Sequence, residues 1–263
     1  MNDLLRVHPK IRHQGLDWLK DSSPHDDIVV STRVRLARNI QGFPFAFNAT
    51  RAERASILDR VRGVIGGVEM MGQVDLWEMA GLDLRERELL LERHLVSREL
   101  TMTPTGEVPN SSALALGNPS ALGVMINEED HLRLHTIRGG CQLLGAWHDL
   151  DQLDEELGVR LPYAFHHEFG FLTSCPTNVG TGLRASVPIH LPGLVLTKQI
   201  HRVLDGMGQL GLTYRGLYGE GSRIVGNLFQ ISNQTTLGKT EEDLIDHLEI
   251  LAGSIASRGF GHG

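Results

Sequence analysis

Residues 27–40, DIVVSTRVRLARNI, alternate Val30, Thr32, Val34 and Leu36 against Ser31, Arg33 and Arg35. Period-two alternation marks a half-buried β-strand, because successive side chains leave opposite faces of the pleat. Arg33 and Arg35 therefore share a face. Downstream, Thr50-x-x-Glu53 reads as a capping box opening a helix whose apolar stripe is Ile57, Val61, Val64, Ile65 and Val68, ending near Met71. LRERELLLERHL (84–95) is a second helical run. Residues 121–138 read as two strands joined by the acidic turn around NEED. CQLLGAWHDLDQLDEELG (141–158) reads as an amphipathic helix closed by Gly158. Strand-like runs follow near 183–191, 211–215 and 223–231, and a last helix is expected from Thr240 with Asp243 in its cap. Strands at irregular spacing with three or four helices and no regular βαβ alternation predict an α+β fold with a largely antiparallel sheet.

Composition sets the outer limits. The chain has 263 residues, 41% of them hydrophobic, with a net charge of −7 and two cysteines, Cys141 and Cys175. That length suits one large domain with a sizeable core, expected here as a lead-in over 1–25, a catalytic domain over 26–255 and a tail over 256–263. Two cysteines make a disulfide framework unlikely and favour a reducing cytoplasm. No apolar run suggests a signal peptide or a membrane span. The acidic balance argues against a nucleic-acid coat, which needs a basic surface.

Several segments bear chemistry. TSCPTNVGTGLRASV (173–187) puts Cys175 in a small polar turn, then Gly180 and Gly182, then Arg184 as a strand begins. Most cysteines are small buried residues, but Ser174, Thr177, Asn178 and Arg184 nearby form a setting that could lower a thiol pKa. Cys141 lacks such neighbours and reads as structural. Arg33 and Arg35 are either surface ion-pair partners or a phosphate clamp, since guanidinium forks match phosphate oxygens. RGLYGEGS (215–222) carries Arg215 and Glu220 on a glycine-rich loop able to close over a ligand. LGKT (237–240) imitates the end of a P-loop, but Asn233 stands where its first glycine must be. HHE (166–168) lacks the spacing of a zinc helix, so no metal site is expected in the protein itself.

Taken in order, DIVVSTRVRLARNIQGFPF, ERHLVS, MINEEDHLRL, FLTSCPTNVGTGLRASV, YRGLYGEGS and GNLFQISNQTTLGKTEEDL resemble the ATP:guanido phosphotransferases, and within them the bacterial protein-arginine kinases, over about residues 26–250. The resemblance implies that Arg33, Arg35, Arg133, Arg184 and Arg215 surround nucleotide phosphates and that His94 meets the adenosine. It implies an ATP site drawn from Ser31, Thr32, Arg33, Val34 and Arg35, from His94 and Arg133, and from Arg184, Ala185, Ser186, Val187 and Pro188. Arg215, Gly216, Leu217, Tyr218, Gly219 and Glu220 complete it. Glu129 and Glu220 would hold the acceptor guanidinium with Cys175 against it, and Mg²⁺ would be carried mainly by ATP phosphates and water.

The STRVR-type strand starts at residue 31, too early for the helical N-terminal domain that encloses free substrate in the small-molecule branch, so protein arginine is the expected acceptor. A kinase for free arginine or another small guanidine, or a non-catalytic regulator, is the alternative. By resemblance the setting would be cytoplasmic protein quality control, with a small zinc-binding activator and a Clp-type protease as partners. No nucleic-acid or membrane partner is expected. The helical phosphoarginine-binding region usual after the catalytic domain is not seen before GFGHG, which puts the usual dimer in doubt. Pro188 cannot donate to a ladder, so an edge position or a bulge is expected there.

Overall fold

Burial along Ser31–Arg38 follows the alternation: Val34 and Leu36 are fully buried on one side, while Arg33 and Arg35 are half-buried on the other. This strand, β1, lies near the centre of an eight-stranded sheet in a computed structural model that describes residues 8–20, 23–102, 106–117, 122–216 and 226–259. The strands are β1 (Ser31–Arg38), β2 (Asp75–Glu78), β3 (Ala113–Leu116), β4 (Leu122–Ile126), β5 (Leu132–Gly139), β8 (Leu183–His190), β9 (Leu212–Arg215) and β10 (Leu228–Asn233). A separate hairpin joins β6 (Phe165–His166) to β7 (Gly170–Phe171). The order is β2-β3-β4-β5-β1-β8-β10-β9, and every pairing is antiparallel. The expected α+β class holds.

Among the described residues there are eight α-helices, more than the three or four expected: α1 (Pro9–His13), α2 (Arg51–Ile65), α3 (Leu84–Glu92), α4 (Arg98–Thr101), α5 (Leu143–Arg160), α6 (Pro192–Leu196), α7 (Ile200–Gln209) and α8 (Glu241–Gly259). Thr50 and Glu53 form the expected reciprocal cap on α2. Thr240 and Asp243 do the same at the start of α8, which runs past the boundary expected at residue 255. Gly158 does not close α5, which continues to Arg160. A Cβ at Gly158 would stand 3.3 Å from the Tyr163 ring, so close packing explains that glycine and no helix stop is needed.

Val34 and Leu36 of β1 and Leu132 and Leu134 of β5, with Val124, Ile126, Leu183, Ala185, Val187, Ile189 and Ile231, build the main core with α2, α5 and α8. On the opposite face a smaller core joins Leu114, Leu116 and Met125 to Ile11 and to Leu90, Leu95 and Leu100, around α3 and α4. The lead-in is fastened to this second layer. Arg93 donates to the carbonyls of Ile11, Arg12 and Gln14, and His8 N–H to Glu86. Among the described residues, helices pack on the main-core face through α2, α5 and α8, and on the opposite face at its β2–β4 end.

Pro188 lies in β8, an interior strand, not at an edge. Arg33 pairs with Ser186, yet Val29 bridges Ile189. One strand advances four residues while the other advances three, which is the bulge alternative. The Pro188 carbonyl still accepts Val30 N–H at 2.9 Å.

Candidate active site

Strand register collects the arginines. Arg35 faces His135 on β5 and Arg184 on β8; Arg33 faces Ser186; Ala37 faces Arg133; and Gln230 of β10, paired with Pro188, faces Arg215. Cross-strand neighbours share a face, so Arg33, Arg35, Arg133, Arg184 and Arg215 all leave the face opposite the main core. Ser31, Ser186 and Pro188 lie on that face as well. Thr32, Val34, Ala185 and Val187 point the other way and are buried on the helix side. Only their main chain could reach a ligand among the arginines.

Two of these arginines are short of hydrogen-bond acceptors. Arg33 Nε and Nη2 and Arg35 Nε are buried with no partner among the described residues. Burial, then the neighbouring Arg133, lowers the Arg33 pKa to about 10, partly offset by Glu128. Burial, then Arg33, Arg133 and Arg184, holds Arg35 well below the usual arginine value. His94 follows α3 in the left-handed region at φ 60°. Its pKa falls to about 4, first through burial and then through Arg33 and Arg35, so its ring is neutral at pH 7. An anion rich in acceptor oxygens would relieve both the repulsion and the unmade hydrogen bonds. A nucleotide polyphosphate fits that description.

At the end of this face stands the acidic turn between β4 and β5. Asn127, at φ 56°, makes the tight reversal, and its side-chain amide is anchored to the carbonyls of Arg54 and Ser111, each at 2.8 Å. Asparagine tolerates that backbone better than most residues. Glu128, whose side chain is 0% exposed, binds Arg133 Nη1 at 2.6 Å; Glu129, 31% exposed, binds Nη2 at 3.0 Å. Burial pushes Glu128 up, but Arg133, Ser97, the Glu129 N–H and Arg35 outweigh it and the net shift is downward. Glu129 moves the other way: burial raises it first, Arg133 opposes, and Glu128, Asp130 and Glu99 add to the rise, so the net shift is upward. The more accessible carboxylate is thus the more basic one.

Cys175 lies beside this turn through a buried clamp. Asp130 Oδ1 accepts the Asn39 amide at 2.7 Å and Ser174 N–H at 2.6 Å, and Asn39 Oδ1 accepts His131 N–H. The end of β1, the acidic turn and the thiol loop are therefore tied at one residue. Cys175 Sγ is 3.0 Å from Thr177 Oγ1. Gly180 and Gly182 have φ 110° and 66°; a Cβ would meet Thr236 O at 2.3 Å on the first and Ala37 O at 2.6 Å on the second. Only glycine fits this turn.

Of the expected site residues, the structure brings together Arg33, Arg35, Arg133, Arg184, Arg215, His94, Glu129 and Cys175, with Gly216 following β9. Leu217, Tyr218, Gly219 and Glu220 lie outside the described residues. Glu128, Asp130, Asn39 and Ser174 were missing from the sequence-based set. Glu128 was within reach, since it adjoins Glu129, but their division of labour depends on burial. His135, buried among the arginines with its pKa driven well down by burial, Arg33 and Arg35, was missed as well; its odd-numbered place in a strand was the available signal.

Residues 56–258 match the family described as ATP:guanido phosphotransferase, C-terminal catalytic domain. The chain is 44% identical over 241 residues to a protein-arginine kinase of Bacillus velezensis, covering 91% of this chain and 65% of that protein. A protein-arginine kinase of Symbiobacterium thermophilum is 42% identical over 241 residues, covering 90% and 67%. The chain thus spans about two thirds of the length of the curated relatives it matches. The duplicated taurocyamine kinase of Schistosoma mansoni, with bound transition-state analogue components, shares the fold at a TM-score of 0.80 and 23% identity, over 97% of this chain and 35% of that one. A lombricine kinase structure does so at 0.77 and 24%, over 93% and 70%. With the family match spanning most of its length, the chain belongs to the ATP:guanido phosphotransferases.

Proposed function

We propose that this chain transfers the γ-phosphoryl group of ATP to the guanidinium of arginine side chains in proteins, and that residues 26–255 form the catalytic unit. The observation that carries the reading is the meeting of a five-arginine sheet face with a carboxylate turn and a thiol loop, the latter two clamped by Asp130. The 44% identity to a protein-arginine kinase favours protein arginine over a free guanidine.

Bound ATP with Mg²⁺ supplies the phosphoryl group and screens its charge. The arginine face binds the phosphates bidentately and stabilises the charge that spreads over the transferring oxygens. Its geometry is held by strand register, so little reorganisation is needed at the moment of reaction. A guanidinium is a poor nucleophile because its lone pair is delocalised in the cation. Glu129 orients it and accepts its proton as the N–P bond forms and the bond from the γ-phosphorus to the bridging oxygen breaks, releasing ADP. Its raised pKa suits a proton acceptor better than that of Glu128. Glu128 stays ionised and fixes Arg133. Cys175 places further polarity beside the acceptor, and Glu220 is assigned as the second carboxylate.

The test is phosphate transfer from labelled ATP with Mg²⁺, offering free arginine and an unstructured arginine-containing protein together. Acid-labile label on the protein, lost in Glu129→Gln while ATP binding is kept, is the expected result. Label on free arginine alone would overturn the protein-acceptor assignment. Transfer retained in Glu129→Gln would remove Glu129 from its role.

A further inference from the structure

On the far side of the thiol loop, the β6–β7 hairpin and the segment leading into α8 flank a shallow, open groove of about 430 Å³. Its apolar lining is unusually open to solvent: Phe165 is 59%, Phe169 50% and Leu237 55% exposed. Its charge is acidic, with Glu168, Glu241 and Asp243 against Lys239 among the described lining residues. LGKT therefore borders this groove, yet α8 opens with Glu241, Glu242 and Asp243, the wrong sign for a phosphate. Aromatic rings beside carboxylates suit a side-chain cation. The hairpin already holds one: the Arg38 guanidinium carbon sits 3.5 Å from the centre of the Phe171 ring.

A single residue links the groove wall to the thiol loop. Thr177 Oγ1 is 3.0 Å from Cys175 Sγ, and the Thr177 carbonyl accepts a hydrogen bond at 2.9 Å from Thr236 Oγ1, in the groove wall. Those two contacts, of 3.0 and 2.9 Å and joined through one threonine, put the thiol and the groove wall no more than roughly 10 Å apart, about three residues of extended chain at ~3.3–3.6 Å each.

We propose that this groove docks the polypeptide flanking the acceptor arginine, taking a lysine or arginine side chain about three residues away from it. The proposal rests on the protein-arginine reading, and it adds a substrate preference for basic flanks. One free arginine cannot fill the acceptor site and the groove at once.

Two peptides test it, each with one acceptor arginine, flanked by lysines in one and by glutamines in the other. Turnover is compared in the wild type and in Glu168→Lys and Phe169→Ser, both exposed positions outside the catalytic machinery. The lysine-flanked peptide should have the lower KM. Glu168→Lys should raise that KM about two- to tenfold, as expected for reversing one exposed charge contact. Its kcat, the KM for ATP and the KM for the glutamine peptide should stay unchanged. Equal KM values for the two peptides in the wild type, or no response to either variant, would overturn the proposal.

Direct binding of the labelled peptides, followed by fluorescence anisotropy, separates the two readings. If neither peptide is phosphorylated but the lysine-flanked one binds and Glu168→Lys releases it, the activity assignment fails and the groove stands. If that peptide binds no better than its partner, the groove fails. Concentration-dependent dimerisation abolished by Glu168→Lys would assign the groove to a second copy of the chain and overturn the proposal.

Discussion

Arg35 and Arg38 lie three residues apart on one strand and face opposite ways, and replacing each by methionine should move stability in opposite directions. Arg38 is 1% exposed. Its Nε and Nη2 bind Asp154, the latter at 2.7 Å, and its Nη1 donates to the Ala37 and Thr181 carbonyls at 2.9 and 2.7 Å. Removing it leaves a buried carboxylate without its partner, a loss of about 3–5 kcal/mol. For a chain of this size that corresponds to a fall in Tm of about 6–20 °C. Arg38→Met with Asp154→Leu removes the stranded charge and should recover most of the loss. It should remain about 1–2 kcal/mol below wild type, because two carbonyl hydrogen bonds are still missing. Arg35→Met instead deletes a half-buried cation that has an unpartnered Nε and is surrounded by Arg33, Arg133 and Arg184. Its stability should equal or exceed that of the wild type while nucleotide affinity collapses. Urea unfolding gives both numbers, and nucleotide titration gives the third. A loss below about 1 kcal/mol in Arg38→Met, or a large loss in Arg35→Met, would refute the assignment of one arginine to the fold and the other to the ligand.

Acid should unfold the protein partly through His94. Its folded pKa of about 4 lies below the unfolded value near 6.5, so the unfolded chain takes the proton first. This contribution is complete above pH 6.5 and is lost as pH falls towards 4, by at most about 3 kcal/mol; His94→Gln should flatten the urea midpoint over that window. Burial, aided by Glu249, pushes the Cys141 thiol up to about 11. Iodoacetamide at pH 8 should therefore label Cys175 in the folded protein and Cys141 only after unfolding, as read by mass spectrometry of the digest.

What could be read in the sequence was local. Alternation placed β1 and the same-face pair Arg33 and Arg35, and the caps at Thr50 and Thr240 follow from side chains three residues apart. Arg38 was legible in principle, since it shares parity with Val34 and Leu36. β2 and β3 were missed because four residues are too few for a period to emerge. Helices α6 and α7 escaped notice between the more obvious strands on either side. The Asp130 clamp could not be read at all: its partners, Asn39 and Ser174, stand 91 and 44 residues away. The alignment of Arg133, Arg184 and Arg215 with β1 is likewise a matter of register, which single strands do not announce.

The division of labour between the two sheet faces explains how so strained a cationic surface can exist. Clustered guanidinium groups with unmade hydrogen bonds destabilise a fold. Here they are held by main-chain pairing along β5, β1, β8, β10 and β9, and those strands are anchored from behind by an apolar core spanning α2, α5 and α8. The arginines contribute little to that anchoring, so the spacing of their heads is set without them. Donors fixed before the ligand arrives need little rearrangement as charge develops on a transferring group, and that is where such a face gains its catalytic leverage. The same logic explains why the acidic turn is clamped and not left as a loose hairpin tip. In the proposed reaction, a carboxylate that meets a guanidinium at hydrogen-bond distance has to be referenced to the same rigid sheet as the phosphates, and Asn39, at the end of β1, ties the acidic turn to that sheet through Asp130.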